Sequence, residues 1–325
     1  MREVWPNFFL VGAAKAGTTS AYAYLSQHSQ IFFPHIKEPH FFAQLQLAGK
    51  QRLFTRYTTT RRDYLKLFAG ADRFPVIGDA SPSYLWHPDA PRRIRKRAPR
   101  AKIAMLLRDP VERAHSHYLM DYREGIQHLS FYDALLQDMR RPDKGWGVSS
   151  LYFELGQYAQ QVKRYFDTFD PRQIGIFFFE DLRRDAKSVL RHILRFLGLD
   201  AATVDQINTS KNHNSYAAPR SELLRRIAGA ETSRFLGRII PANAGQKIYE
   251  TFFLRRARKP AIDPRARDLL CECYDPEVME LEKLLGYPLP QLRVSWTQRD
   301  SARERRNAMK NADFMDWSHP PLTFD

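Results

Sequence analysis

Residues 7–20 read NFFLVGAAKAGTTS, and the fold follows from how this stretch divides. The run over residues 7–12 shows no polar alternation, as in a strand buried on both faces of a parallel sheet. Gly12 and Gly17 bracket a tight turn. Thr18, Thr19 or Ser20 can then cap a helix whose body, residues 21–27, is helix-compatible. Similar apolar runs recur at 75–78 (PVIG), 102–107 (KIAMLL) and 173–179 (QIGIFFF), each followed by a polar turn and a helical pattern. The repetition predicts an α/β fold: a parallel β-sheet flanked by helices in three α/β/α layers.

Helix signals support this order. Asp109-Pro110, with Glu112 three residues beyond Asp109, supplies a cap, a proline at the first helical position and a capping-box partner. Leu182, Ala186, Val189, Leu190, Ile193, Leu194 and Leu197 keep a helical period up to Gly198, which suits a C-terminal cap. Further helices are expected at 222–228 and at 277–285, the latter stopped by Gly286. Residues 44–73 and those after Tyr216 fit the sheet pattern poorly and read as an insertion and a helical covering region. The expectation is one domain over residues 1–325, with a core over about 5–200 and a C-terminal helical cover over about 217–325.

The 325 residues carry 51 Lys and Arg against 36 Asp and Glu, a formal net charge of +15 that predicts an anionic partner. With 43% hydrophobic and 27% charged residues the chain is globular in composition, which excludes wholesale disorder and collagen-like folds. Cys271 and Cys273 cannot build a disulfide framework or a four-ligand zinc site and read as reduced thiols. Apolar runs such as 8–14 and 174–179 fall short of the ~18 residues of a membrane span. Glu3 and Lys15 spoil a signal peptide. A cytoplasmic, bacterial location is therefore expected.

Residues 12–20 (GAAKAGTTS) curl backbone N–H groups and a helix N-terminus around an anion. The glycine spacing is that of G-x-x-x-x-G-K-[ST], but Thr18 takes the lysine's place and Lys15 lies inside the loop. A lysine three residues earlier addresses a different atom of a shorter phosphate chain. The loop resembles the 5′-phosphosulfate-binding loop of sulfotransferases that use 3′-phosphoadenosine 5′-phosphosulfate (PAPS). Residues 106–118 (LLRDPVERAHSHY) resemble that family's 3′-phosphate segment. Residues 78–85 (GDASPSYL) and 179–182 (FEDL) resemble further landmarks, in the same order from about residue 8 to 199.

The resemblance implies PAPS as donor co-substrate, with Lys15, Ala16, Gly17, Thr18, Thr19 and Ser20 holding the 5′-phosphosulfate and Arg108 and Ser116 the 3′-phosphate. Residues 37–42 (KEPHFF) resemble a segment whose glutamate, here Glu38, takes the acceptor proton, with His40 as the alternative base. Lys15 would neutralise the departing phosphate. Residues 211–220 (KNHNSYAAPR) resemble a loop that closes on the nucleotide, which brings in Lys211 and Asn214. Ala80 stands where the animal heparan-type enzymes carry a lysine, so the acceptor contacts are not carried over. The implied reaction is in-line sulfuryl transfer to a hydroxyl, or an amine, of a carbohydrate or glycan-like acceptor, without a metal. The resemblance does not set the oligomeric state.

Two other readings compete. A P-loop-type nucleotide kinase needs magnesium and a lysine beside the threonine pair, and the place of Lys15 speaks against it. A non-enzymatic basic nucleic-acid-binding protein would rest on the +15 charge and on runs such as 92–100 (RRIRKRAPR), but it leaves the ordered landmarks unexplained. That run is expected to be a solvated helix face, so no nucleic-acid partner is expected. His115 and His117 are expected to be packed rather than catalytic.

Overall fold

The apolar run after Asn7 becomes β1 (Phe8–Gly12), followed by α1 (Thr18–Leu25), β2 (Ile31–Phe32) and β3 (Val76–Asp79) in a computed structural model. The chain continues through α2 (Ala90–Arg97), β4 (Lys102–Leu107), α3 (Pro110–Arg123), α4 (Tyr158–Phe166), β5 (Ile174–Phe178) and α5 (Ala186–Leu197). A small antiparallel pair, β6 (Ala217–Pro219) and β7 (Leu254–Arg256), precedes α6 (Pro264–Leu285). The structure describes residues 3–44, 58–142, 150–210, 216–220 and 254–296.

The five main strands run parallel in the order β2-β3-β1-β4-β5. Side-chain alternation explains why the sequence shows none in polarity. Phe9, Val11, Ile103, Met105 and Leu107 enter one core, with Ile94 of α2, Val162 of α4 and Leu281 of α6. Phe8, Leu10, Ala104 and Leu106 enter the other, with Leu25 of α1 and Leu190 of α5. Burying one such Leu, Ile or Phe contributes about 1.5–3 kcal/mol. A net ladder hydrogen bond contributes about 1 kcal/mol. Two-sided burial is therefore what holds β1 and β4 at the centre. The three-layer expectation is met, and the carboxyl ends of β1 and β4 lie side by side, where ligands of open α/β sheets bind.

Several local expectations change. The cap of α1 is not Thr18, Thr19 or Ser20 but Gly17, left-handed at φ 88°, and no side chain caps the first turn. The first-turn N–H groups thus stay available to an anion. Asp109 caps α3 as expected, accepting from Val111 N–H at 2.9 Å and Glu112 N–H at 3.3 Å. Glu112 does not complete the box; its carboxylate turns to Arg108 and Lys259. The period from Leu182 to Leu197 splits at Asp185, whose side chain accepts from Ser188 N–H at 3.0 Å and caps α5. Helix α6 starts at Pro264, well before residue 277, and runs through Pro276 to the left-handed Gly286. Asp109 also accepts from Ser295 N–H at 2.7 Å, which ties the C-terminal segment to the start of α3. The helix expected at 222–228 lies outside the described residues. Arg92, Arg95, Lys96 and Arg97 of the basic run are exposed on α2, while Ile94 is buried. No helix among the described residues is long and apolar enough to cross a membrane.

Candidate active site

Strand ends build one side of the site. β1 stops at Gly12, and the chain turns through Lys15, at φ 67°, to Gly17. A Cβ on Gly17 would lie 2.7 Å from Cδ2 of Phe179, the residue that follows β5, so close packing and a left-handed φ both demand glycine there. Ala16 is fully buried and Ala13 N–H donates to Leu106 O at 2.7 Å, which seats the loop on β4. Thr18 is buried, whereas Thr19 and Ser20 are half-buried.

The ammonium of Lys15 donates to Met120 Sδ at 3.4 Å, and a thioether is a weak acceptor. Burial pushes the lysine down to about 8, aided by the charge of Arg123 and opposed by Glu124 and Asp121. Arg108, the first residue after β4, donates from Nη1 to Lys15 O at 3.0 Å and from Nη2 to Glu112 Oε2 at 3.2 Å. Its guanidinium lies 4.4 Å from the centre of the Phe179 ring, and its buried Nε has no hydrogen-bond partner. Lys259 Nζ reaches the same Glu112 oxygen at 2.5 Å.

Ser116 falls on the same face. On α3, Glu112, Ser116 and Met120 recur every fourth residue, with Arg123 next, and all four are half-buried on an otherwise largely buried helix. Glu112 meets Arg108 and Met120 meets Lys15, so this stripe faces the loop with Ser116 between its two contacts. His115 and His117 are buried on other faces.

The other side is a loop. Lys37 pairs with Glu38, and His40 Nε2 lies 3.5 Å from Glu38 Oε2. Glu38 and His40 adopt left-handed φ values of 62° and 54°. The Glu38 side chain is 30% exposed and that of His40 only 2%. His40 Nδ1 is 2.6 Å from Ser83 Oγ, and its backbone N–H donates to Ser81 Oγ at 3.2 Å. Ser81 donates on to Asp79 Oδ1 at 2.7 Å, and the hydroxyls of Tyr64 and Tyr84 donate to Asp79 Oδ2 at 2.7 and 2.8 Å. Burial pushes His40 down to about 4 and raises Asp79 above the ordinary carboxylate range. Lys37 is pushed down to about 7 by burial first and by the charge of Lys15 second.

The sulfotransferase domain family matches residues 6–238. The chain belongs to this family. A crystal structure of a sulfotransferase from Alicyclobacillus acidocaldarius is 30% identical and superposes with a TM-score of 0.69, covering 89% of this chain and 99% of that one. The human bifunctional heparan sulfate N-deacetylase/N-sulfotransferase 3 is 25% identical over 320 residues, 94% of this chain and 33% of that protein. Rat carbohydrate sulfotransferase 15 is 26% identical over 247 residues, 60% of this chain and 44% of that protein. The chain therefore spans about a third of the length of the first of these relatives. The protein is a transferase of the sulfotransferase type, and the kinase and nucleic-acid readings find no support in these matches.

In this sulfotransferase the structure brings together Lys15, Ala16, Gly17, Thr18, Arg108 and Ser116, and the charge of Lys15 reaches Lys37 beside Glu38. His40 stands behind Glu38, buried in the Asp79 network. Lys211 and Asn214 lie outside the described residues. Sequence reasoning missed Lys37, Asp79, Tyr64, Met120, Glu112 and Lys259. The four-residue recurrence of Glu112, Ser116 and Met120 was present as a signal; the link from Tyr64 to Asp79 was not. Ala80 is buried beside Asp79. Among the described residues no cluster of three His, Cys, Asp or Glu groups suits a metal ion.

Proposed function

We propose that this sulfotransferase takes PAPS as donor and sulfates a hydroxyl or amine of a carbohydrate or glycan acceptor. One observation carries the donor reading: the half-buried ammonium of Lys15 rests against a thioether, on the loop that leads into a helix with no side-chain cap. A partly desolvated cation with so weak a partner is stabilised when an anion completes it. The orphaned Nε of Arg108 beside the Phe179 ring fits a second anionic group and a flat base in the same way.

The roles follow from position. First-turn amides and the hydroxyls of Thr18, Thr19 and Ser20 hold the 5′-phosphosulfate, Arg108 and Ser116 hold the 3′-phosphate, and Lys15 faces the leaving oxygen. The donor supplies a sulfuryl group on a phosphate oxygen. In transfer the bond from acceptor oxygen or nitrogen to sulfur forms, the bond from sulfur to phosphate oxygen breaks with its electron pair left on phosphate, and the acceptor proton passes to Glu38. Partial exposure of Glu38 and burial of a neutral His40 favour the carboxylate as base and the imidazole as its orienting neighbour. The acceptor class is supported by the named activities of the heparan sulfate and carbohydrate relatives and by the net charge of +15, which suits an acidic glycan. The free thiols of Cys271 and Cys273 suit a cytoplasmic location.

Incubation with radiolabelled PAPS and a panel of glycans tests the acceptor. Label should enter an acidic or amino-bearing polysaccharide. Transfer to small phenols or alcohols with no glycan labelled would overturn the acceptor class.

A further inference from the structure

Lys37 pairs with Glu38, and its side chain is only 18% exposed, so the ion pair is partly shielded from solvent. A cation in contact with a carboxylate stabilises the anion and lowers its proton affinity. The resting pair therefore leaves Glu38 a poor base. The charge of Lys15, from the loop after β1, also acts on Lys37, so the two lysines lie within electrostatic reach of each other. Like charges brought together in a partly buried site repel each other, and an anion entering between them removes the repulsion. Lys37 has the flexible four-carbon stem and rotatable donors needed to change partners.

We propose that Lys37 exchanges its ion pair during the reaction: it holds Glu38 in the free enzyme and moves onto the sulfuryl oxygens when the donor binds, releasing Glu38 as base. This rests on the assignment of Glu38 and Lys15 under the proposed function. Lys37 gives hydrogen bonds and transfers no proton. The acceptor proton goes to Glu38, the new bond forms at sulfur, and the electron pair of the broken bond stays on the phosphate oxygen facing Lys15. His40, fixed through Ser83 and Ser81, keeps Glu38 oriented from its other side. The base is thus released only when a sulfuryl group is present to receive.

The groups facing Lys37 set a pH dependence. They are Glu38 and His40 on its own loop, Asp79 behind His40 and Lys15 across the site. With Lys37 pushed down to about 7, its cation is present below that pH and lost above it. Activity of the free enzyme should then fall through an alkaline limb near pH 7. Lys15, at about 8, adds a second limb above it.

The test is the pH profile of kcat/KM for wild type, Lys37→Arg, Lys37→Met and Glu38→Gln, with calorimetric binding of PAPS and of the desulfated product, 3′-phosphoadenosine 5′-phosphate. Lys37→Met should lower kcat roughly 10²- to 10³-fold, as for loss of one transition-state donor. It should erase the limb near 7 and leave that of Lys15. Its affinity for the desulfated product should match wild type, which also reports folding, while any preference for PAPS over that product is lost. Lys37→Arg should move the limb to higher pH. Wild-type kcat with an unmoved limb in Lys37→Met would overturn the proposal, and so would an equal loss of product affinity and rate. Wild-type activity in Glu38→Gln would instead overturn the assignment of the base.

Discussion

The two sides of the site are held differently. Gly12, Arg108 and Phe179 each sit at the carboxyl end of a strand, β1, β4 and β5, so the side proposed to hold the donor is fixed by the sheet. Lys37, Glu38 and His40 lie on a loop held by hydrogen bonds through Ser81 to Asp79 at the end of β3, to Ser83, and from Thr58 N–H to Pro39 O at 2.8 Å. A sheet-fixed anion site suits a donor of constant shape. Under the proposed function, a loop tied by hydrogen bonds away from the sheet's centre would let the acceptor side vary without disturbing the donor.

If this division is right, rate and nucleotide affinity separate by side. Glu38→Gln should cost roughly 10²- to 10⁴-fold in kcat, with calorimetric affinity for the desulfated nucleotide unchanged. Lys15→Ala should cost roughly 10²- to 10³-fold in kcat and weaken the nucleotide as well. Equal effects of the two substitutions on affinity would break the comparison. Gly17→Ala tests how the donor side is built: a left-handed φ and a Cβ 2.7 Å from Phe179 should cost about 1–3 kcal/mol, read by denaturant unfolding.

Asp121 sharpens the picture through pH. Its carboxyl accepts from Ser150 N–H at 2.7 Å and Tyr152 hydroxyl at 2.9 Å, and burial raises it from 3.8 to about 7 despite these bonds. The folded state keeps a proton that the unfolded chain releases. The contribution to stability is therefore fully present below about pH 4 and is lost as pH rises to about 7. Asp121→Asn should flatten melting temperature against pH over that window. Smallest of all, Arg92→Ala on α2, where the side chain is 81% exposed, should change stability by less than about 0.5 kcal/mol and leave turnover untouched.

The same division explains what was legible in the sequence. The side proposed to hold the donor is local: one run of residues from Phe8 to Ser20 gives strand, loop and helix, and the family resemblance of residues 106–118 singled out Arg108 and Ser116 on a strand end and helix that the sequence already marked. Gly198 and Gly286 marked helix ends because only an αL cap was required of them. Illegible parts have nonlocal or concealed causes. Two residues of β2 are too few to show a pattern, and Pro276 hides the first half of α6 from a reading that treats proline as a boundary. Glu38 was singled out through its motif, but Lys37 beside it was not, because the charge that acts on it comes from Lys15 on the loop after β1. Nothing in the composition of residues 61–66 announces that Tyr64 donates to Asp79.

The most direct measurement is calorimetric binding of 3′-phosphoadenosine 5′-phosphate, against ATP with magnesium, to wild type and Arg108→Ala. Micromolar binding of the bisphosphate, none of ATP, and a loss in Arg108→Ala of roughly 1.5–3 kcal/mol, about ten- to over a hundredfold in Kd, is the predicted result. Binding of ATP as tight as that of the bisphosphate, or binding that Arg108→Ala leaves unchanged, would contradict the donor site.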